Sequence, residues 1–197
     1  MDKMALTQDQ INGTIAFHGH YCPGLAFGIR VGEWSAQEFG YAIDEEIAAV
    51  VETDMCAVDA IQYLVGCTFG KGNLIFLDYG KNAYSFFRRS DGKSVRLMTR
   101  GGLLLDLREE ERHLSPQDSD GRERIRNRMI ERIMKTKFEE IFSFGPVKVP
   151  MPDVAKIHPS ARCGVCGELV MATRLDDRKI CIPCRREMDQ EPDSFSR

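Results

Sequence analysis

At 197 residues, with 43% hydrophobic and 29% charged positions and a mean hydropathy of −0.31, the chain fits one medium domain with its own core plus a small appendage, in the composition of a soluble protein. A net charge of −3 and a pI near 5.9 argue against nucleic acid or anionic lipid as the partner of the whole chain, because phosphate binding draws on an excess of Lys and Arg. There is no apolar run of about eighteen residues, and the start Met1-Asp2-Lys3-Met4 lacks a basic then hydrophobic leader, so membrane insertion and secretion are not expected and the cytoplasm is the default compartment.

In chain order, Thr7 is placed to cap a short helix over Gln8 to Ala16, with Ile11, Ile15 and Phe17 near one side. It leads into His18-Gly19-His20-Tyr21-Cys22-Pro23-Gly24, which sets two imidazoles and a thiol within five residues and closes them with a Pro-Gly pair. A turn of this kind can aim several metal ligands at one point. After Pro23, the apolar residues Leu25, Ile29 and Trp34, with Phe27 and Val31 alongside, predict a second helix ending near Gly40. Gly24, Gly28 and Gly32 recur on one face of that helix, a spacing that costs stability unless another backbone approaches closely, in this chain or in a second copy.

Ile47 to Thr53 reads as a buried strand. Thr53 or Asp54 can then cap a helix that carries Cys56 in its first turn, where the macrodipole would favour a thiolate, and that stops at Gly66 just before Cys67. Three strands are expected next, at Leu74 to Asp78, Ala83 to Arg88 and Ser94 to Thr99, joined as a meander by the turn signals Gly80-Lys81-Asn82 and Ser90-Asp91-Gly92-Lys93. From Asp120 to Phe142 the apolar positions follow helical spacing among alternating Arg and Glu, predicting one long amphipathic helix. Pro146, Pro150, Pro152 and Pro159 make the next stretch an extended, stiff connector. The expected organisation is thus a core over residues 1–145, a proline-rich linker over 146–160 and a C-terminal module over 161–197.

That module holds Cys163-Gly164-Val165-Cys166-Gly167 and, fourteen residues on, Cys181-Ile182-Pro183-Cys184. Each Cys-x-x-Cys turns two sulfurs toward one point, and four thiolates make the closed tetrahedral site of structural zinc rather than a disulfide or redox pair. A hairpin over Leu169 to Leu175 and Lys179 to Ile182, then a helix to Asp189, resembles a treble-clef zinc finger, in which the metal supplies the folding energy that so few residues cannot. Its basic and acidic residues nearly cancel, so packing on protein is favoured over binding nucleic acid.

In the core, the candidate second metal site is His18 or His20 with Cys22 and either Cys56 or Cys67, a nitrogen and sulfur set that suits zinc first, with nickel, iron or copper open. Cys22, His20 and Cys56 are the candidates for catalysis, either at an open metal position or as a low-pKa thiol pair. Asp54 and Asp59 flank Cys56, as a helix cap and a solvated face or as a carboxylate that orients a histidine. Lys71 in its glycine turn lacks the spacing of a phosphate loop.

The run His18 to Gly24, the stretch Glu52-Thr53-Asp54-Met55-Cys56-Ala57-Val58-Asp59-Ala60-Ile61-Gln62, and Gly66-Cys67-Thr68-Phe69-Gly70-Lys71-Gly72-Asn73 together resemble the FmdE family of formylmethanofuran dehydrogenase components over about residues 10–100. The resemblance implies an α+β fold with a thioredoxin-like core, a mixed sheet flanked by helices, packed as a homodimer. It further implies a metal-binding site at the His and Cys residues and association with a molybdenum or tungsten oxidoreductase of one-carbon metabolism in methanogens. Two roles compete: a metal or redox subunit that takes part in chemistry, and a non-catalytic adaptor or metal-delivery and cofactor-delivery protein that uses the finger for protein contacts.

Overall fold

Thr7 and Gln10 cap each other's backbone at the start of α1 (Gln8–His18), Gln10 N–H donating to the Thr7 hydroxyl and Thr7 N–H to the Gln10 side chain. The structure is a computed structural model and describes residues 6–189. The chain divides into two compact units, Met1–Val154 and Ala155–Arg197. In the first, α2 (Pro23–Phe39), β1 (Ile47–Val51), α3 (Ala57–Val65), β2 (Leu74–Phe76), β3 (Ala83–Arg88) and β4 (Ser94–Thr99) follow α1. Then come α4 (Leu105–Arg112), α5 (Ser119–Lys135), α6 (Phe138–Ile141) and β5 (Phe142–Gly145).

The five strands form one mixed sheet in the order β2-β1-β3-β4-β5, with β2 parallel to β1 and every other pair antiparallel. The fold is therefore α+β, with a mixed sheet covered by helices. Strand β1 reads Ile-Ala-Ala-Val-Val and is buried throughout because both of its faces are covered. Ile47, Ala49 and Val51 join α2, α3 and α5 in the main core, while Ala48 and Val50 meet Phe87 and the extended residues Val147, Val149 and Met151. Arg89 fastens that extended stretch by donating to the Pro152 carbonyl at 2.6 Å. The first half of the proline-rich connector thus forms the back cover of the sheet, with a bend at Lys148 and Val149.

Three expectations are corrected. The meander holds for β3 and β4, but β2 does not pair with β3: β1 lies between them. A strand, helix, strand sequence returns the second strand parallel to the first. Asn73 locks that return, its buried side-chain amide donating to the Asp44 and Ile47 carbonyls while its oxygen accepts from Thr68 N–H. Thr53 and Asp54 do not cap α3, whose N-cap position is Cys56, with no side-chain capping hydrogen bond. Finally, the long C-terminal helix stops at Lys135. The Arg30 guanidinium takes the carbonyls of Ile133, Met134 and Thr136, and Thr136 turns extended, so Phe142 to Gly145 can pair with β4 as a fifth strand. Helix α4, built from Leu105 to Arg112, has no counterpart in the sequence reading.

Glycines govern the packing of α2 on α3. A Cβ on Gly28 would lie 2.5 Å from the Ala57 Cα, and one on Gly32 would lie 2.8 Å from the Leu64 side chain. The close visitor foreseen for this glycine face is therefore α3 of the same chain. Among the described residues no helix is long and apolar enough to cross a membrane.

In the second unit, β6 (Ser160–Arg162) pairs antiparallel with β7 (Leu169–Met171), a 3-10 turn spans Ala172–Arg174, and α7 covers Ile182–Asp189. The second hairpin expected here shrinks to one bridge between Leu175 and Cys181, and β7 pairs back across the knuckle instead. Asp176 shapes the intervening turn by accepting from the N–H groups of Arg178 and Ile180. Among the described residues, only Cys163, Ile180, Cys181 and Cys184 form a buried apolar cluster in this unit, with Val170 and Leu175 against it.

Candidate metal centre

His18 is the last residue of α1, and Gly19, with φ of +93°, reverses the chain directly after it. Cys22 then enters α2 as its N-cap in extended backbone, with Pro23 pre-set for the first helical position. The Leu25 N–H donates to the Cys22 sulfur at 3.3 Å. The start of α3 brings Cys56 from the other side, and Gly24 makes room for it, since a Cβ there would meet the Cys56 sulfur at 3.4 Å. His18 Nε2 lies 4.0 Å from Cys22 Sγ, and the ligand atoms of His18, Cys22 and Cys56 all lie within 4.8 Å of one another.

Asp59, in the first turn of α3, accepts from His18 Nδ1 at 2.7 Å. That bond fixes the ring and leaves the Nε2 lone pair directed at the two thiols, the arrangement by which a carboxylate orients a metal-binding histidine. Gln62 in turn donates to the other oxygen of Asp59 at 3.3 Å. Burial, followed by the adjacent Cys22 thiol, pushes the Cys56 thiol up from its usual range. This is opposite to the direction expected from the helix macrodipole. Two thiols facing each other in a half-buried pocket resist becoming two thiolates, and a bound cation is what would relieve that conflict. One nitrogen and two sulfurs suit zinc or another borderline-soft metal, and three protein ligands leave at least one position for water or substrate.

The other sequence candidates stand elsewhere. The His20 ring is exposed and packs on the His18 ring at 4.5 Å between centroids, so its nitrogens are outside the ligand group. Cys67 is fully buried in the main core, its thiol against the Ile47 carbonyl at 3.5 Å, and burial pushes it up to about 12. It lies outside the group as well, because it follows the far end of α3 while Cys56 precedes the near end. Asp54 is exposed. The Lys71 ammonium donates to the Ala42 and Ile43 carbonyls, at 2.8 and 3.3 Å, and so fastens a loop.

Two features had escaped the sequence reading. Tyr84 of β3 is almost fully buried, and burial first, then the neighbouring Cys56, pushes its hydroxyl up. Glu52 at the end of β1 accepts two hydrogen bonds from Arg96 of β4, at 2.5 and 2.8 Å, with the two side chains 6% and 2% exposed. That pairing spans 44 residues, so the sequence signal is no more than a charged residue after the apolar run of β1 and another between Val95 and Leu97 inside β4.

The second unit holds a separate group. Cys163, Cys166, Cys181 and Cys184 place all four sulfurs within 4.8 Å of one another, with Cys166 and Cys181 at 3.9 Å. A tetrahedral zinc with its usual bonds to sulfur needs the sulfurs roughly 3.8 Å apart, so the set fits a four-cysteine finger. The N–H groups of Cys181 and Val165 both reach the Cys163 sulfur at 3.4 Å. Such backbone donors hold the Cys163 thiol down to about 6, while the neighbouring Cys181 side chain pushes Cys184 up to about 12.

The chain is similar to known proteins in sequence and in fold. One relative, named a probable S-adenosyl-L-methionine-binding protein of Archaeoglobus fulgidus, is 34% identical over 190 residues, covering 85% of this chain and 50% of its own. The chain thus spans about half the length of that curated relative. A solved structure of a tungsten formylmethanofuran dehydrogenase FmdE-like protein from Syntrophus aciditrophicus has the same fold, with a TM-score of 0.62, 24% identity and coverage of 90% of this chain and 91% of that one. The family model described as FmdE, molybdenum formylmethanofuran dehydrogenase operon, matches residues 17–143, a span that opens one residue before His18 and closes inside β5. With all three ligands of the core site and the whole five-stranded sheet but its last residues inside that match, the chain belongs to the FmdE family.

Proposed function

We propose that this protein is a metal-dependent subunit or accessory of an oxidoreductase, with a zinc ion held in the core by His18, Cys22 and Cys56 and a structural zinc held by Cys163, Cys166, Cys181 and Cys184. The observation that carries the reading is the His18–Asp59 hydrogen bond of 2.7 Å beside two facing thiols. A histidine that only filled a turn would not need its ring fixed with Nε2 toward sulfur. When bound, the core metal would supply Lewis acidity at an open position. The protein's own residues do the rest: Asp59 orients His18, and Gly24 and Gly28 allow the two thiols to meet. Cys22 and Cys56 are the groups that would touch substrate or metal. The family's operon description supports a place beside a molybdenum or tungsten enzyme of one-carbon metabolism, and a homodimer in the cytoplasm is part of the same proposal.

The test is metal content by elemental mass spectrometry on protein purified without added metal. Two metals per chain are expected in the wild type and one in Cys22→Ser/Cys56→Ser. One metal in both proteins, with no uptake by the wild type on adding zinc, would refute an occupied core site.

A further inference from the structure

The core unit carries a second feature that the metal centre does not use. A cleft of about 510 Å³ opens beside the strand ends and is lined by Phe27 of α2, Lys81, Arg96, Arg100, Leu104 and Arg108 of α4, among others. No acidic residue lines it. Arg96 is 2% exposed and is held through Nε and Nη2 by Glu52, so it presents a guanidinium of fixed orientation whose charge is balanced. None of the other three cations has an ion-pair partner of its own among the described residues, although the Glu52 charge also reaches Lys81. Among the described residues, no carboxylate forms an ion pair with Lys81 or Arg108, and Arg100 donates only to the Glu139 and Phe142 carbonyls, both at 3.1 Å. In a chain of net charge −3, gathering three such cations around one hollow is a concentrated positive field. A neighbouring hollow shares Leu105 and Arg108 with the cleft and reaches Pro23, the residue after Cys22.

We infer that this cleft binds a phosphate-bearing small molecule, whose phosphates meet Lys81, Arg100 and Arg108 and whose apolar part rests on Phe27 and Leu104, with its far end toward the metal centre. A volume in the range of organic ligand sites exceeds what a lone inorganic ion would fill. Several separated cations with one rigid guanidinium suit a group with several anionic oxygens better than a single carboxylate. Lys81 and Arg108 are exposed, so neither is needed for folding.

The test is calorimetric titration of the full-length, zinc-loaded protein at low salt with inorganic pyrophosphate and, separately, citrate. Saturable binding of one pyrophosphate per chain is expected. Lys81→Gln/Arg108→Gln should weaken it about tenfold or more, in keeping with two lost charge-assisted contacts. Removal of the same charge elsewhere, in Arg124→Gln/Lys137→Gln, should change it less than about twofold, as for exposed cations outside the site. Unchanged thermal midpoints in both variants would show that folding is intact. Pyrophosphate could instead sit on the core metal: binding lost in Cys22→Ser/Cys56→Ser but kept in Lys81→Gln/Arg108→Gln would overturn the cleft. So would no saturable binding, an equal loss in both charge variants, or citrate binding more tightly than pyrophosphate.

Discussion

Replacing Gly28 by alanine tests the link between helix packing and the metal centre. The added Cβ would stand 2.5 Å from the Ala57 Cα and 2.6 Å from the Ala57 carbonyl oxygen, both main-chain atoms of α3. No side-chain rotation relieves them, so α3 must retreat by about 0.9 Å to restore an ordinary contact of 3.4 Å. Alanine favours the interior of a helix by about 1 kcal/mol over glycine, whereas forcing a methyl into a packed interface costs about 1–3 kcal/mol and more where backbone must move. The net expectation is a loss of about 2 kcal/mol, which for a chain of this size lowers the melting midpoint by roughly 4–8 °C. Because Ala57 is adjacent to Cys56, the same retreat carries the Cys56 thiol away from Cys22 and should cost core metal. Calorimetric melting with metal analysis of Gly28→Ala is the assay, and Gly70→Ala, where a Cβ meets nothing within 4 Å, is the control. Gly32→Ala should fall between them, since the Leu64 side chain it meets can partly yield. A Gly28→Ala protein that melts at or above the wild-type temperature with its metal content intact would refute the reasoning.

Other expectations rest on single contacts. Asp59→Asn leaves His18 without its orienting carboxylate and should weaken the core metal about 10- to 100-fold in chelator competition, the finger metal being unchanged; unaltered affinity would remove Asp59 from the site. Glu52→Gln should destabilise the core by about 3–5 kcal/mol at neutral pH, as for a broken buried ion pair. The hydrogen bond from Arg96 holds the Glu52 carboxyl below its usual 4.5, so its contribution is complete above that value and fades as pH falls through the depressed one. Acid melting curves of Glu52→Gln should therefore converge on those of the wild type, and a constant gap down to the acid limit would contradict this assignment. Cys67→Ala should keep the full metal content with a modest loss of stability, and a chain short of core metal would return Cys67 to the ligand set.

Local signals carried much of this molecule. The capping Thr7, the glycine stops at Gly40 and Gly66, and the turn between β3 and β4 are each decided by residues a few positions apart, and the sequence reading met them closely. The paired Cys-x-x-Cys motifs were legible for the same reason, because metal geometry is written into the spacing. What failed was decided at a distance. Nothing within Asp120 to Phe142 announces that Arg30, about a hundred residues earlier, will claim the end of α5. The Gly80-Lys81-Asn82 turn signal was compatible with pairing on β2 or on β1, and the crossover through α3 had already filled one side of β1. In the core site, the motif narrowed the ligands to a handful, but the choice of His18 over His20 rests on contacts across the fold, since it is the His18 ring that meets Asp59 of α3 and faces Cys22.

Among its described residues the second unit has almost nothing apolar to fall back on: of the four that are buried, three are cysteines of the candidate metal group. If the unit holds the proposed cation, removing it would remove the interior with it, so no loosely collapsed intermediate is available and the unit should pass from ordered to open chain in one step. The sheet and helices of the first unit, held by a large aliphatic and aromatic interior, have no such dependence. Stripping metal from the protein would then unravel one end of the chain while the other persists, giving a molecule whose resistance to proteases reports metal supply at its C-terminal end only.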